Sequence, residues 1–236
     1  IGSGSEIITA VKTRRETIVL TDTSVHSMQF IGPPFTFGIN QLASAITVKG
    51  FNSAVAVGDS VFWMGYDRFY IYDGRVQVIP CSVRDHVFRD FNETQSDKVF
   101  AGVNSAFGEV FWFYPSETNS GANGGTDEND RYVIYNYDQK IWYVGSLART
   151  SWIDRGVYQY PLATDSNLVY NHEKGNDNDG TAFTSFIESS PIDIQDGDQF
   201  VFLRRMIPDV SFDNSDAEIS TDNNQTVFSL KAQRSP

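Results

Sequence analysis

The sequence is organised around a loose internal repeat of apolar and aromatic segments. These segments recur at intervals of roughly 40 to 60 residues, close to the period of propeller blades. Each combines β-branched with aromatic residues, which fit the pleated surface of a sheet, and 18 Phe and 11 Tyr make this chemistry common along the chain. The four segments are residues 18–20, 61–63, 110–112 and 168–170. The repeat predicts several similar β units.

Turns beside the two middle segments indicate how each unit is built. After residues 61–63, an alternating aromatic strand ends at Asp73-Gly74, and a further strand follows at 76–79. After residues 110–112, a strand at 131–138 is followed by another at 141–144. Asp-Gly between apolar runs is a strong hairpin signal. Each unit is therefore expected to be an antiparallel meander.

The predicted fold class is all-β, with β-propeller-like repeats of antiparallel blades. One blade cannot cover both faces of its own sheet, so neighbouring blades must stack on it. The chain lacks a strict Gly-His to Trp-Asp blade motif, so a β-sandwich or a set of unrelated meanders remains an alternative. The blades are assigned to residues 1–207, and the start of a further β segment is assigned to residues 208–236.

One short helix is predicted between the second and third units. Val83, Val87, Phe88 and Phe91 follow Ser82 at helical spacing, which predicts an amphipathic helix of about three turns. Ser82 is the expected N-cap, since its hydroxyl can accept a hydrogen bond from a free backbone N–H. The apolar face is expected to pack against the blades.

Two polar segments are predicted to be loops that do not pack. Residues 116–130 contain no apolar side chain larger than alanine, and residues 173–180 are similarly polar. Long insertions of this kind lie on the surface between strands.

Calcium is the first metal to consider, because Asp177, Asp179 and Gly180 resemble the start of a calcium loop. The EF-hand pattern needs oxygen ligands at alternate positions before the glycine and a glutamate six residues after it. Gly175 and Phe186 occupy the first and last of these positions, so the pattern fails. A second acidic turn surrounds Gly197, with aspartates at 193, 196 and 198. Both are interpreted as solvated turns.

No residue pattern predicts catalysis. His26, His86 and His172 lie far apart without ligand spacing, and the nucleophile-elbow motif G-x-S-x-G is absent. The Ser-x-Asp-x-Gly-x-Thr-Trp box of sialidases is also absent. Cys81 is the one cysteine and is expected to be a small buried hydrophobe. The chain is therefore predicted not to be an enzyme, with no catalytic, cofactor-binding or metal-binding residues and no cofactor.

The charge balance limits the partners. Eighteen Lys and Arg against 30 Asp and Glu give a net charge of −12, which opposes binding to duplex DNA through counterion release. It does not oppose a DNA conduit, since an acidic wall repels phosphate. No stretch approaches the roughly 20 apolar residues of a membrane helix, so no membrane contact is expected.

Several stretches together resemble a family of tailed-phage proteins, the tail nozzle or tail tubular proteins and the packaged-DNA stabilisation proteins of the head-to-tail connector. The resemblance extends from about Ile8 to Pro236. It is carried by VKTRRETIVLTD at 11–22, QFIGPPFTFG at 29–38, FWMG at 62–65, VFAG at 99–102, YVIYNY at 132–137, WYVGSLART at 142–150 and RRMIPD at 204–209.

The resemblance implies a structural virion protein of the phage tail. It implies a homo-oligomeric ring, usually a hexamer, below the portal and adaptor proteins. Such a ring extends the DNA channel, retains the packaged genome and permits its ejection, while the DNA passes through without specific binding. Family members are longer, so this chain is expected to be a piece of a longer protein. No active-site residues transfer from the family.

A carbohydrate-recognising β-propeller of a tail fibre or lectin is the alternative function. It would display exposed aromatic platforms, for which Trp63, Trp112, Trp142 and Trp152 are the candidates. In the nozzle interpretation these tryptophans belong to the blade core, as their placement beside Val and Phe indicates. The positions of the four indoles therefore distinguish the two functions.

Overall fold

The computed structural model describes residues 6–117, 126–165, 167–175 and 180–181, together with the backbone of 216–220 and 227–231. The chain divides into two compact units, residues 1–177 and 178–236. In the second unit, β16 (Asp216–Ser220) and β17 (Val227–Lys231) form an antiparallel hairpin. This hairpin lies within the predicted further β segment, whereas the predicted boundary at 207–208 lies outside the described residues.

The described residues of the first unit form four antiparallel sheets, and in each sheet the strands follow one another in chain order. Sheet 1 contains β1 (Ile7–Lys12), β2 (Thr17–Thr21), β3 (Ser24–Gly32) and β4 (Thr36–Ser44). Sheet 2 contains β5 (Ala54–Val57), β6 (Ser60–Met64), β7 (Phe69–Tyr72) and β8 (Val76–Ile79). Sheet 3 contains β9 (Phe100–Asn104), β10 (Glu109–Tyr114), β11 (Arg131–Asn136) and β12 (Ile141–Ser146). Sheet 4 contains β13 (Ser151–Ile153), β14 (Leu162–Asp165) and β15 (Leu168–Asn171).

The sheets stack face to face, and β6 shows how. Val61 and Trp63 point into a core shared with sheet 1, while Phe62 and Met64 point into a core shared with sheet 3. Successive side chains of a strand lie on opposite faces, so a strand covered on both faces is apolar throughout. Strand β10 is covered in the same way, between sheets 2 and 4. The apolar repeat in the sequence thus marks central strands of stacked sheets.

The first strands of consecutive sheets lie beside one another. β1 contacts β5, β5 contacts β9 and β9 contacts β13. Meanders that stack by their faces and meet along their first strands have the arrangement of blades. The predicted all-β fold with propeller-like antiparallel blades is confirmed.

In the fourth sheet the apolar segment of the repeat lies in the third strand, not in the second. Residues 18–20, 61–63 and 110–112 each lie in the second strand of their sheet, but residues 168–170 lie in the third strand, β15. The second strand of sheet 4 is β14, whose sequence Leu-Ala-Thr-Asp has no aromatic residue. The aromatic pattern therefore identified β15 in place of β14.

The predicted helix is present but shorter than expected. α1 spans Arg84–Arg89, and its N-cap residue is Val83, which provides no side-chain cap; the expected N-cap, Ser82, lies one residue too early. It ends before Phe91 because that residue leaves the helix to form a backbone bridge with Ser116 and to stack on Tyr114 in sheet 3. A 3-10 helix, Glu93–Lys98, follows.

The prediction that residues 116–130 do not pack is wrong at both ends of the segment. Ser116 and Asn129 are buried. The Asp130 carboxylate accepts hydrogen bonds from the backbone N–H and the hydroxyl of Ser116, both at 2.8 Å. The Asn129 amide donates to the carbonyl of Lys98 at 2.8 Å. Short polar side chains here satisfy buried backbone groups, a role that composition alone does not distinguish from solvation. Residues 118–125 lie outside the described part.

Each tryptophan joins two consecutive sheets or their connections through its indole N–H. Trp63 donates to the Thr47 carbonyl at 3.2 Å, between sheets 1 and 2. The other three indoles likewise donate to carbonyls from the preceding sheet or its flanking residues: Trp112 to Ser53 at 2.9 Å, Trp142 to Pro80 at 2.8 Å and Trp152 to Val103 at 2.9 Å. Trp63 and Trp112 have 0% exposure, and the other two are half-buried. None of the four is an exposed platform.

Replacing Trp112 with alanine should lower the free energy of unfolding by ~3–5 kcal/mol, because it removes a large buried ring and leaves a cavity. Trp112→Phe should lower it less, because a phenyl ring still fills most of the buried volume. Its remaining cost comes largely from the lost hydrogen bond to Ser53. Urea denaturation measures both. The exposed Phe107 provides the control, and Phe107→Ala should change stability by no more than about 0.5 kcal/mol. Equal costs at the two positions would contradict the inter-sheet role of Trp112.

Candidate interaction surface

The hairpin formed by β3 and β4 extends beyond the rest of sheet 1. The pairing of β2 with β3 stops at Met28, whereas β3 and β4 continue to pair as far as Gly32 and Thr36. Residues 29–39, called the arm below, therefore form a two-stranded ribbon that no third strand of the described ranges joins. Gly32 turns the chain at φ 81°, a conformation that glycine adopts without strain, and Pro33 and Pro34 follow it, joined by a cis peptide bond.

One face of the arm is apolar and exposed. Phe30 pairs with Phe37 across the two strands, and their rings meet edge to face with centroids 5.9 Å apart. Ile39 lies on the same face because it is two residues from Phe37. Phe30 is 71% exposed and Phe35, at the tip, is 76% exposed. Such a contiguous exposed apolar surface is typical of an interaction site.

The arm lies in the one long uncharged part of the first sheet. From Thr23 to Val48 the sequence contains no Asp, Glu, Lys or Arg, although the chain as a whole has a net charge of −12. The residues of the arm itself therefore present no charge to a partner surface.

The base of the arm is held by Glu16. Its carboxylate accepts hydrogen bonds from Gln29 Nε2 at 3.0 Å and from the Tyr72 hydroxyl at 2.6 Å. Burial raises the pKa of Tyr72 to about 12, and the hydrogen bond to Glu16 contributes. Burial alone would raise the pKa of Glu16, but the hydrogen bonds it accepts lower it below the usual value. At neutral pH this ion and phenol connect the arm to sheet 2.

A second polar cluster surrounds His172, next to sheet 4. Arg149 donates through Nε to His172 Nε2 at 2.8 Å and lies over the ring of Tyr170 at 4.4 Å. The ring of His172 also packs against Trp152, with centroids 4.8 Å apart. Because Nε2 accepts a hydrogen bond, the imidazole is neutral and its proton is on Nδ1. Burial and the charge of Arg149 lower the pKa of His172 to about 4. These contacts join the residues that flank sheet 4 to its two outer strands, β13 and β15.

Asn104 lies beside this cluster. Its amide donates to Glu173 at 3.2 Å, and burial together with Glu173 raises the pKa of Glu109. Across the described residues, no group of three or more His, Cys, Asp or Glu side chains is placed to hold a metal ion. The acidic turns considered for calcium, at 177–179 and 193–198, lie outside the described residues.

The other residues considered from sequence do not converge. His26 is buried and contacts the Ser24 hydroxyl, while His86 is exposed on α1. Cys81 is half-buried against the core between sheets 2 and 3, and burial raises its pKa to about 11, which disfavours a reactive thiolate. Within the described ranges, no helix has the length and apolar character needed to cross a membrane.

Sequence reasoning did not identify the arm as a surface. In the sequence, residues 29–38 contributed only to the resemblance to the phage family. The signal was present in the alternating apolar residues on both sides of Gly-Pro-Pro and in the lack of charge from 23 to 48. A strand pattern, however, does not show whether its apolar face is covered.

Comparison with known proteins gives little further information. No family model matches the chain, and no curated protein matches it. Among solved structures, the extracellular domain of a putative one-component system from B. thetaiotaomicron is similar, with 12% sequence identity and a TM-score of 0.45. The similarity covers 80% of this chain and 23% of that chain.

The stability of the protein should depend on the protonation of His172. The unfolded chain takes up this proton near pH 6.5, but the folded chain takes it up only near pH 4. The unfolded state is therefore favoured increasingly as the pH falls through this window. Free energies of unfolding at pH 7, 6, 5 and 4 should fall more steeply for wild type than for His172→Gln. His86→Gln is the control for loss of an exposed histidine, and parallel curves for wild type and His172→Gln would refute the expectation.

Proposed function

We propose that this chain is a structural virion protein of a phage tail, part of a nozzle or connector ring. The ring, most simply a hexamer, would extend the DNA channel below the portal and adaptor proteins, retain the packaged genome and permit its ejection. The observation that carries the proposal is the combination of a stacked-sheet body with a projecting, uncharged apolar arm. An arm of this kind serves assembly, because it offers surface for packing and no group for chemistry.

The net charge supports a conduit. In a ring, identical subunits multiply whatever charge faces the axis, and a chain with 30 acidic and 18 basic residues is acidic overall. An acidic wall repels the phosphate backbone, so the genome can pass without adhering. Retention would then depend on a narrow constriction and not on contacts to bases or phosphates.

The carbohydrate-binding alternative receives no support from the tryptophans. Each indole lies between sheets or against their connections, and each N–H already donates to a backbone carbonyl. Sugar platforms need an exposed aromatic face. The tryptophan positions favour the core role that the nozzle interpretation requires.

Two measurements test the proposal. Purified protein should not bind duplex DNA at low salt, where electrostatic attraction would be strongest; dissociation constants below roughly 1 µM would refute the repulsive wall. Phage particles that lack the protein should package DNA and then lose it, as measured by nuclease sensitivity. Particles that retain their genome without the protein would contradict the retention role.

A further inference from the structure

The described residues supply no third strand to the arm, and its apolar side chains are exposed. A two-stranded hairpin alone is at best marginally stable in water, so the ribbon beyond Met28 depends on a further contact for its stability. Phe30, Phe37 and Ile39 form its apolar face, and all three are exposed. A ribbon of this composition gains stability when a second surface covers it.

A matching surface lies on the same protein, at the outer edge of sheet 3. β12 is the last strand in that sheet, and none of the described strands pairs with its outer side. Ile141, Tyr143 and Val144 are exposed along it. The segment from 141 to 148 contains no charged residue. An edge strand presents unpaired N–H and C=O groups that another strand can use.

We propose that the arm of one copy packs along β12 of a second copy of this chain. Two acidic chains, each with a net charge of −12, repel one another unless they meet through uncharged patches. The arm and β12 are both uncharged, exposed and apolar, so contact between them places no carboxylate against another. This inference rests on the ring part of the proposed function.

The geometry of such a contact determines the assembly. The arm and β12 are different surfaces, so each copy gives an arm to one neighbour and receives an arm from the other. A heterologous contact of this kind closes into a ring when the rotation between neighbours allows it and otherwise forms an open filament. The contact therefore provides the head-to-tail arrangement that a ring of identical subunits needs.

The first test measures self-association of the purified full chain by sedimentation velocity, up to roughly 100 µM. The arm variant is Phe30→Ser with Phe37→Ser. The matched control is Phe51→Ser with Phe107→Ser, because these phenylalanines are exposed to 55% and 53% but lie outside the arm. The arm variant should weaken association at least about tenfold, and the control should not. Thermal melts confirm that both variants are folded.

A mixing experiment tests the head-to-tail arrangement. Ile141→Ser with Tyr143→Ser should also prevent assembly, because it removes the receiving surface. Mixed with the arm variant, it should form heterodimers that grow no further, since one intact arm and one intact β12 remain in the pair. No heterodimer in the mixture would overturn the pairing of these two surfaces.

A photo-crosslinker at Phe35 locates the contact directly. Crosslinks to residues 141–146 of another copy support the proposal, and crosslinks to any other segment overturn the assignment of β12. A wild type that stays monomeric, or that binds phosphatidylcholine vesicles through the arm, overturns self-association. Rings that persist in the arm variant overturn this inference but agree with the proposed ring. Arm-dependent filaments without rings support this inference and count against the nozzle.

Discussion

The hydrogen bonds from indoles to carbonyls of the preceding sheet or its flanking residues are the interactions on which the rest of the first unit depends. Apolar stacking is non-directional, so it brings sheets together without fixing how they lie. An indole N–H that must reach one particular carbonyl adds direction, and a buried donor without its acceptor is costly. Trp63, Trp112 and Trp152 each place such a donor in the junction between consecutive sheets. These bonds fix how sheets 1 to 4 lie against one another, and sheets 1 and 3 carry the arm and β12.

Much of the fold could be predicted from the sequence because its signals are local. Strands β6 and β10 were identified from continuous apolar runs, and the Asp73-Gly74 hairpin from its turn residues. In the fourth sheet the repeat pointed to the third strand in place of the second, because β14 contains no aromatic residue. The end of α1 depends on Phe91 bridging to Ser116, a contact made by residues far apart in sequence, which no helical pattern contains.

Buried polar contacts could not be predicted either, because they too join residues that are far apart in the sequence. Lys49 has a completely buried side chain, with Nζ 2.6 Å from Glu93 Oε1 and 3.9 Å from the ring centroid of Phe91. Burial lowers its pKa, and Glu93 opposes that shift. In sequence it is an ordinary lysine. The opposite holds for the arm. In sequence its apolar residues look like core residues, and only the end of the pairing between β2 and β3 at Met28 shows that they are exposed.

Strands covered on both faces also affect how the protein is made. Each sheet is a meander of neighbouring segments, so it can form soon after its residues leave the ribosome. β6 and β10, however, expose one apolar face until the next sheet has been synthesised, and exposed faces of this kind promote aggregation. The order of the sheets along the chain lets each new sheet cover the one before it. Synthesis that pauses between residues 79 and 100 would leave Phe62 and Met64 uncovered, and the nascent chain would then depend on chaperones.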